Sequence, residues 1–355
     1  MAGELILVTG ASGHLGYRAL VLALEAGYRV RAAVRSQAKA ETILAAPSIK
    51  ALAPGSKLDF AMVPDIAADG AYDEAAKGVN SILHIASPLA IPTDDYERDI
   101  IVPAIKGTIN MLKAGAKESS VKRIVITSSI AAVIPWPEFM LTESPQVYTA
   151  DNTIPDPSGP YAHSFEAYTA AKKKALDATK EFLKTEKPAF DVINVMPGFI
   201  VGRNELVTDA KDILSGTNGA AFAPILGNVS DSAYPGSMQH VDDVAKVHVL
   251  SLDPKVSGNQ DFGLQAGGTD GIVWGDCIDI VKRRFPEAVK DGRLPASGAQ
   301  PTKKVRYDTS RTEKVLGIKF QSYEDALVSV TEHYLELLEK EKGNGLVTDD
   351  ANGHH

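Results

Sequence analysis

The chain is predicted to fold as an α/β protein, a doubly wound parallel sheet carrying a smaller C-terminal lobe. Three features of the sequence predict this. A glycine-rich turn separates an apolar run from a helical pattern at the N-terminus. Apolar runs of strand length then alternate with helical patterns as far as Met196, the rhythm of βαβ units. Beyond Pro197-Gly198 that rhythm breaks, and shorter elements separated by Gly and Pro follow to about residue 240.

The first run, Leu5-Ile6-Leu7-Val8, ends in Thr9-Gly10-Ala11-Ser12-Gly13-His14-Leu15-Gly16, and Tyr17 to Leu24 is helical in pattern. Strand, glycine turn and helix follow in that order. Glycines 10, 13 and 16 let the backbone turn tightly and approach a pyrophosphate held by amides at the helix N-terminus. The spacing differs by one residue from G-x-G-x-x-G, which places it in a related branch of the same Rossmann-type fold. The second strand, Tyr28 to Arg35, ends where an acid would bind the ribose of NAD, roughly 20 residues beyond the glycines. No acid lies between Gly27 and Ala40. Arg35 stands there instead, with Lys39 a turn later and Arg31 on the same strand, so a 2′-phosphate would meet positive charge and NADPH/NADP+ is the expected cofactor. Further strands are read at Leu58–Val63, Ser81–Ala86, Arg123–Ser128 and Phe190–Met196, with helices near 69–78, 95–117 and 165–186. Ligands of such sheets bind at the carboxyl ends of the strands.

Composition bounds the rest. With 355 residues, 44% of them hydrophobic, the chain can fill a sizeable core. Residues 1–197 are read as the dinucleotide-binding domain, with 236–264 returning to it; 198–235 and 265–342 are read as the substrate lobe, and 343–355 as a disordered tail. A formal charge of -8 argues against nucleic acid or an anionic membrane as partner. The single cysteine, Cys277, excludes an internal disulfide and a cysteine zinc cluster, which fits a reducing compartment. No apolar run approaches membrane length, and the first strand leaves no room for a leader, so a cytoplasmic protein, monomer or homodimer, is expected. His84, His163, His240 and His248 are scattered without carboxylates at ligand spacing, so they are read as structural and no metal is expected. Ser128-Ser129 lacks the glycines of a nucleophile elbow.

Tyr168 and Lys172 lie four apart in Ala167-Tyr168-Thr169-Ala170-Ala171-Lys172, so on a helix phenol and ammonium share one face. An ammonium beside a phenol favours the phenolate and lowers its pKa, which makes Tyr168 a candidate general acid for a carbonyl oxygen.

Together, Thr9-Gly10-x-x-Gly13-x-x-Gly16, Thr127-Ser128-Ser129 and Tyr168-x-x-x-Lys172 resemble the extended short-chain dehydrogenase/reductase family. Ala32-Ala33-Val34-Arg35-Ser36, His84-Ile85-Ala86-Ser87-Pro88 and His240-Val241-Asp242-Asp243 are similar to its branch of dihydroflavonol reductases, cinnamoyl-CoA reductases and fungal carbonyl reductases. The resemblance implies NADPH-dependent reduction of a ketone or aldehyde. Tyr168 would be the acid; Lys172 would hold the nicotinamide ribose and depress the Tyr168 pKa; Ser129, in preference to Ser128, would hydrogen-bond the substrate oxygen. Gly10, Ser12, Gly13, His14, Leu15 and Gly16 would receive the pyrophosphate, and Arg35 with Lys39 the 2′-phosphate. Asp65 and Ile66 would border the adenine. Ala86, Ser87, Pro88 and Thr127 would line the middle of the cofactor, and Pro197, Gly198 and Ile200 the nicotinamide. Asn110 is read as packing between strands.

An apolar pocket is expected from Leu89, Ile130, Ala131, Ile134, Trp136, Phe165 and Phe199, suited to a hydrophobic small-molecule carbonyl substrate. The Ser164-Phe165-Glu166-Ala167 run before Tyr168 departs from the cinnamoyl-CoA reductases, and no asparagine follows Ser129 as a flavonoid site would require. An NAD-dependent epimerase or sterol dehydrogenase is opposed by Arg35, and a non-catalytic NADP-binding sensor by the retained Tyr168 and Lys172.

Overall fold

The computed structural model describes residues 3–88 and 90–351. Strands that are apolar along their whole length must be covered on both faces, and only a sheet flanked by helices provides that cover. The first half of the chain builds it with β1 (Leu5–Thr9), α1 (His14–Glu25), β2 (Arg29–Val34), α2 (Gln37–Ala45), α3 (Pro47–Leu52), β3 (Leu58–Met62), α4 (Asp73–Ala76), β4 (Ser81–His84), α5 (Val102–Lys117), β5 (Arg123–Thr127), α6 (Ser164–Glu186) and β6 (Asp191–Pro197). The second half adds β7 (Phe199–Val201), α7 (Asn218–Phe222), β8 (Tyr234–Pro235), β9 (Met238–His240), α8 (Val241–Leu250), β10 (Gln260–Leu264), α9 (Cys277–Arg284), α10 (Pro286–Lys290), β11 (Thr302–Lys303), α11 (Ser310–Leu316) and α12 (Tyr323–Ala351).

The seven-stranded sheet runs β10-β6-β5-β4-β1-β2-β3 with every pair parallel. Chain direction across the sheet reverses between β1 and β4, which opens a crevice at their carboxyl ends. This is the expected doubly wound fold. The helix read near 69–78 shrinks to Asp73–Ala76 because Gly70 and Gly78, both at positive φ, bracket it. Helices α2 and α3 were not anticipated: only Ala40, Ile43 and Ile49 are buried, so their apolar periodicity is faint.

Segment 241–264 returns to the sheet, since β10 pairs with β6 and α8 packs on α1. A separate apolar cluster, around Phe222, Met238, Trp274, Val281 and Leu327, gathers mostly residues from the segments expected to form the lobe. Part of the expected lobe sequence covers the sheet instead: Leu316, Ile318 and Phe320 pack against the cluster around α1. Helix α12 continues to Ala351, so the polar segment from Gly343, expected to be disordered, is helical that far. Glycines in a helix cost only about 1 kcal/mol each and need not end it; residues 352–355 lie outside the described residues. Among the described residues no helix is long and apolar enough to cross a membrane, and no group of three or more His, Cys, Asp or Glu could hold a metal ion.

Candidate active site

The turn between β1 and α1 is built so tightly that two of its glycines leave no room for a side chain. Gly10 has φ +67°, and a Cβ there would lie 2.9 Å from the Ala86 nitrogen. A Cβ on Gly16 would lie 2.0 Å from the Gly10 carbonyl oxygen. Gly13 differs: it is exposed, and a Cβ would meet only the Gly10 oxygen, at 3.3 Å. The Gly13 amide donates to Gly10 O at 2.9 Å, and the first amide returned to the helix is that of Tyr17, donating to Gly13 O at 2.9 Å. The amides of His14, Leu15 and Gly16 therefore have no intrahelical acceptor. A cradle that a Cβ would fill, backed by free amides at a helix N-terminus, fits a dinucleotide pyrophosphate. Two side chains of this turn point elsewhere: Leu15 is buried in the core, and His14 Nε2 bonds the Arg203 carbonyl at 3.1 Å. Burial lowers the His14 pKa to about 4, so the ring is neutral and donates.

Thr9 holds the neighbouring strand end in place. Its Oγ1 accepts the amides of Ile85 and Ala86, both at 3.1 Å, and meets His84 Nδ1 at 3.0 Å. Burial first, and the Lys172 charge second, lower His84 to about 3, so the ring is neutral; with Oγ1 already accepting two amides, the threonine hydroxyl is left to donate to Nδ1. His84 thus ties the end of β4 to the end of β1.

At the edge of the crevice Arg35 and Lys39 are exposed just past β2. Arg31 does not join them. It lies back within the strand, where its guanidinium bonds Asp59 at 3.2 Å and the carbonyls of Ala75 and Lys77 at 3.0 and 2.8 Å. Asp65 Oδ1 accepts the Ala67 amide at 2.9 Å, and Asn110 Nδ2 donates to the Ile66 and Ala68 carbonyls at 3.1 and 2.8 Å. Asn110 thus anchors the loop that carries Asp65 and Ile66.

Helix α6 carries Tyr168 and Lys172. His163 caps its start by accepting the Glu166 amide at 3.3 Å, and Glu166 Oε2 accepts the Ala162 amide at 2.7 Å. Small residues Ala167, Ala170 and Ala171 are buried and let α5 pack close. Lys172 Nζ donates to Ser87 Oγ at 3.1 Å and to the Thr127 carbonyl at 3.4 Å, and lies 5.6 Å from the Tyr168 ring centroid. Behind it a cavity of about 20 Å³, bounded by His84, Thr127, Ser128, Lys172 and Asn194, has room for one water. Ser128 borders this cavity. Ser129 caps the short turn Ile130–Ala132, which packs on α6; its Oγ accepts the Ala131 amide at 3.2 Å and keeps its own proton for donation.

The expected depression of the Tyr168 pKa is not what these side chains produce. Burial pushes Tyr168 up to about 12 and Lys172 down to about 8. Apolar surroundings penalise both charged forms and outweigh their mutual attraction. Tyr168 is therefore a protonated donor at neutral pH.

The expected pocket divides in two. Ile130, Ala131 and Ile134 are core rather than wall: they are at most 3% exposed and pack with Leu176, Met196 and Tyr307, because the short turn after Ser129 folds them inward. Trp136, Phe165 and Phe199 are half-buried, and Phe165 joins them to Tyr168. Phe165 lies parallel to Tyr168 at 6.1 Å, Trp136 edge-on to Phe165 at 5.9 Å, and Phe199 at 6.3 Å. Tyr234, which the sequence reading missed, stacks on Phe199 at 5.6 Å; only the pairing of its short strand with β11 brings it there. Trp274 is fully buried behind Phe199. Leu89 lies outside the described residues. Pro197 ends β6, Ile200 pairs with Gln239 on β9, and Gly198 lets the chain pass Ser237, whose carbonyl a Cβ would approach to 2.3 Å. A wider cleft of about 310 Å³, between Arg203, His240, Arg284 and Glu332, touches none of the residues around Tyr168.

Residues 6–262 match the NAD dependent epimerase/dehydratase family. The chain belongs to this family. It is similar to the ketoreductase CTB6 of Cercospora beticola, 39% identical over 353 residues that cover 97% of this chain and 98% of that protein. The NAD-dependent epimerase/dehydratase ALT6 of Alternaria alternata is 34% identical over 341 residues, 90% of this chain and 94% of that one. Among solved structures, the yeast methylglyoxal/isovaleraldehyde reductase Gre2 complexed with NADPH superimposes with a TM-score of 0.79 at 25% identity, covering 95% of this chain and 99% of that chain. The protein is an oxidoreductase of a nicotinamide-dependent family, as the motifs led us to expect.

Proposed function

We propose that the protein reduces a ketone or aldehyde to an alcohol with NADPH. The observation that carries this reading is that the half-buried Tyr168 and the buried Lys172 share one face of α6, with the ammonium held by Ser87 and the Thr127 carbonyl at the strand ends that face the glycine turn. The dinucleotide supplies the hydride. The chain supplies orientation and the proton. Tyr168 Oη gives its proton to the substrate oxygen as negative charge develops there, and Ser129 Oγ donates a hydrogen bond to the same oxygen. Lys172 contributes a positive charge beside the phenol that stabilises the deprotonated ring left behind, so it lowers the cost of proton transfer even though burial keeps the resting phenol protonated. Arg35 and Lys39, exposed and free of ion pairs among the described residues, favour the phosphorylated cofactor. Trp136, Phe165, Phe199 and Tyr234 form an apolar wall against which a hydrophobic substituent would lie, and the ketoreductase relative supports a ketone as substrate.

The test is NADPH consumption against aryl ketones, β-ketoesters and aliphatic aldehydes, repeated with NADH and with Tyr168→Phe. Turnover that prefers NADPH and falls by about 10²-fold or more in the variant, with cofactor binding retained, is expected. Full activity in Tyr168→Phe would remove this residue as the acid.

A further inference from the structure

Three side chains on one face of α1 bond to the chain beyond residue 200. His14, Tyr17 and Arg18 stand at i, i+3 and i+4 and so project together. His14 meets the Arg203 carbonyl, Tyr17 Oη donates to Glu205 Oε2 at 2.7 Å, and Arg18 makes a two-point ion pair with Asp242 at 2.6 and 3.1 Å. Glu205 does more than meet Tyr17. Its Oε1 accepts the Ser48 hydroxyl at 2.6 Å, and its Oε2 also accepts the Ser48 amide, at the start of α3, at 3.1 Å. One half-buried carboxylate therefore joins α1, α3 and the segment that leaves β7. That segment is fixed from the other side as well, because the Arg203 amide donates to Ser329 Oγ at 3.0 Å and its guanidinium pairs with Glu336, both on α12.

We propose that Glu205 is a positioning residue for the dinucleotide: it clamps α1 against α3 beneath segment 202–207 and so holds the free amides of His14, Leu15 and Gly16 where a pyrophosphate is received. The inference rests on the cofactor reading above. Its physical content is geometric. A helix N-terminus binds an anion only when its first-turn amides converge, and α1 enters directly from a turn in which Gly10 and Gly16 already touch. The helix cannot rotate about its axis without breaking the Tyr17 and His14 bonds. Burial pushes the Glu205 carboxyl up, but the bonds from Ser48 and Tyr17 outweigh it and hold the group below its ordinary value, so the clamp is charged at neutral pH. Charge-assisted bonds of this kind are about twice as strong as neutral ones.

The experiment compares the wild type with Glu205→Gln, Tyr17→Phe and the double variant, titrating each with NADPH by fluorescence and following KM for NADPH and kcat with the ketone the wild type reduces fastest. Glutamine keeps one acceptor but cannot take three donors. Glu205→Gln should weaken NADPH binding about five- to tenfold and raise KM(NADPH) equally, while kcat at saturating NADPH stays within about twofold. Tyr17→Phe should do the same to a smaller degree, and the double variant should cost less than the product of the two singles. Folded variants that bind NADPH as the wild type does would overturn the clamp, as would a fall confined to kcat or melting temperature. A wild type that binds no NADPH would instead overturn the cofactor reading and the clamp with it. Should Glu205→Gln fail to fold, Tyr17→Phe alone decides, since it removes one bond from a ring that keeps its packing.

Discussion

Glycines 13 and 16 look equivalent in the sequence and have opposite tasks in the fold, which alanine substitution separates. In Gly16→Ala the new methyl would stand 2.0 Å from the Gly10 oxygen and 2.6 Å from its carbonyl carbon. Both atoms are backbone in a closed turn, so no side chain can swing away; the turn must open by more than an ångström. Overpacking of this kind costs about 1–3 kcal/mol. In Gly13→Ala the methyl meets one atom at 3.3 Å, and the residue is extended, with φ -98° and ψ 169°, which alanine adopts freely. The cost there is the loss of glycine at a helix N-cap, no more than about 1 kcal/mol, and the methyl projects into the open cradle. Chemical denaturation and NADPH titration of both variants are the assay. Gly16→Ala should lose stability and affinity together. Gly13→Ala should fold nearly as well as the wild type and lose at least about tenfold in NADPH affinity. Equal destabilisation by the two, or unchanged affinity in Gly13→Ala, would refute the assignment of the open space to the pyrophosphate.

Further outcomes follow from other parts of the site. Arg35→Ala should raise KM for NADPH several-fold and leave KM for NADH nearly unchanged; a parallel change in both would remove the 2′-phosphate role. With Lys172 lowered to about 8, its charge is present below that pH and lost above it, so kcat/KM for reduction should fall by up to about tenfold per unit above pH 8. A fall that began only near the ordinary lysine value would contradict this. His84 and His248 have folded values of about 3 and about 4, below the unfolded value of about 6.5. The unfolded chain therefore takes up protons first. The stability these neutral rings allow is complete above pH 6.5 and is lost toward pH 4 at up to about 1.4 kcal/mol per unit for each ring, and denaturation midpoints across that range check it.

The local parts of the site were legible because they depend on short-range geometry. A turn that needs glycine at positions 10 and 16, a strand end that lacks an acid, and a tyrosine and lysine one helical turn apart each state their requirement within a few residues. The protonation of Tyr168 was not legible, since spacing reports that Lys172 is near but not that their surroundings disfavour both charged forms. Arg31 and Arg35 could not be told apart by type. Asp59 and two carbonyls, all distant in sequence from Arg31, take its guanidinium.

By itself the sequence determined the doubly wound sheet, the glycine turn between β1 and α1 and the pair on α6, because period, turn chemistry and i,i+4 spacing act through neighbours along the chain. Only the tertiary structure decided which apolar residues after Ser129 are core and which are wall, brought Tyr234 to Phe199, and closed Glu205 on Tyr17 and Ser48. Those contacts join residues up to about 190 positions apart, and nothing in a local pattern says which distant side chain will fill a given hydrogen-bonding or packing vacancy until the lobe has folded onto the sheet.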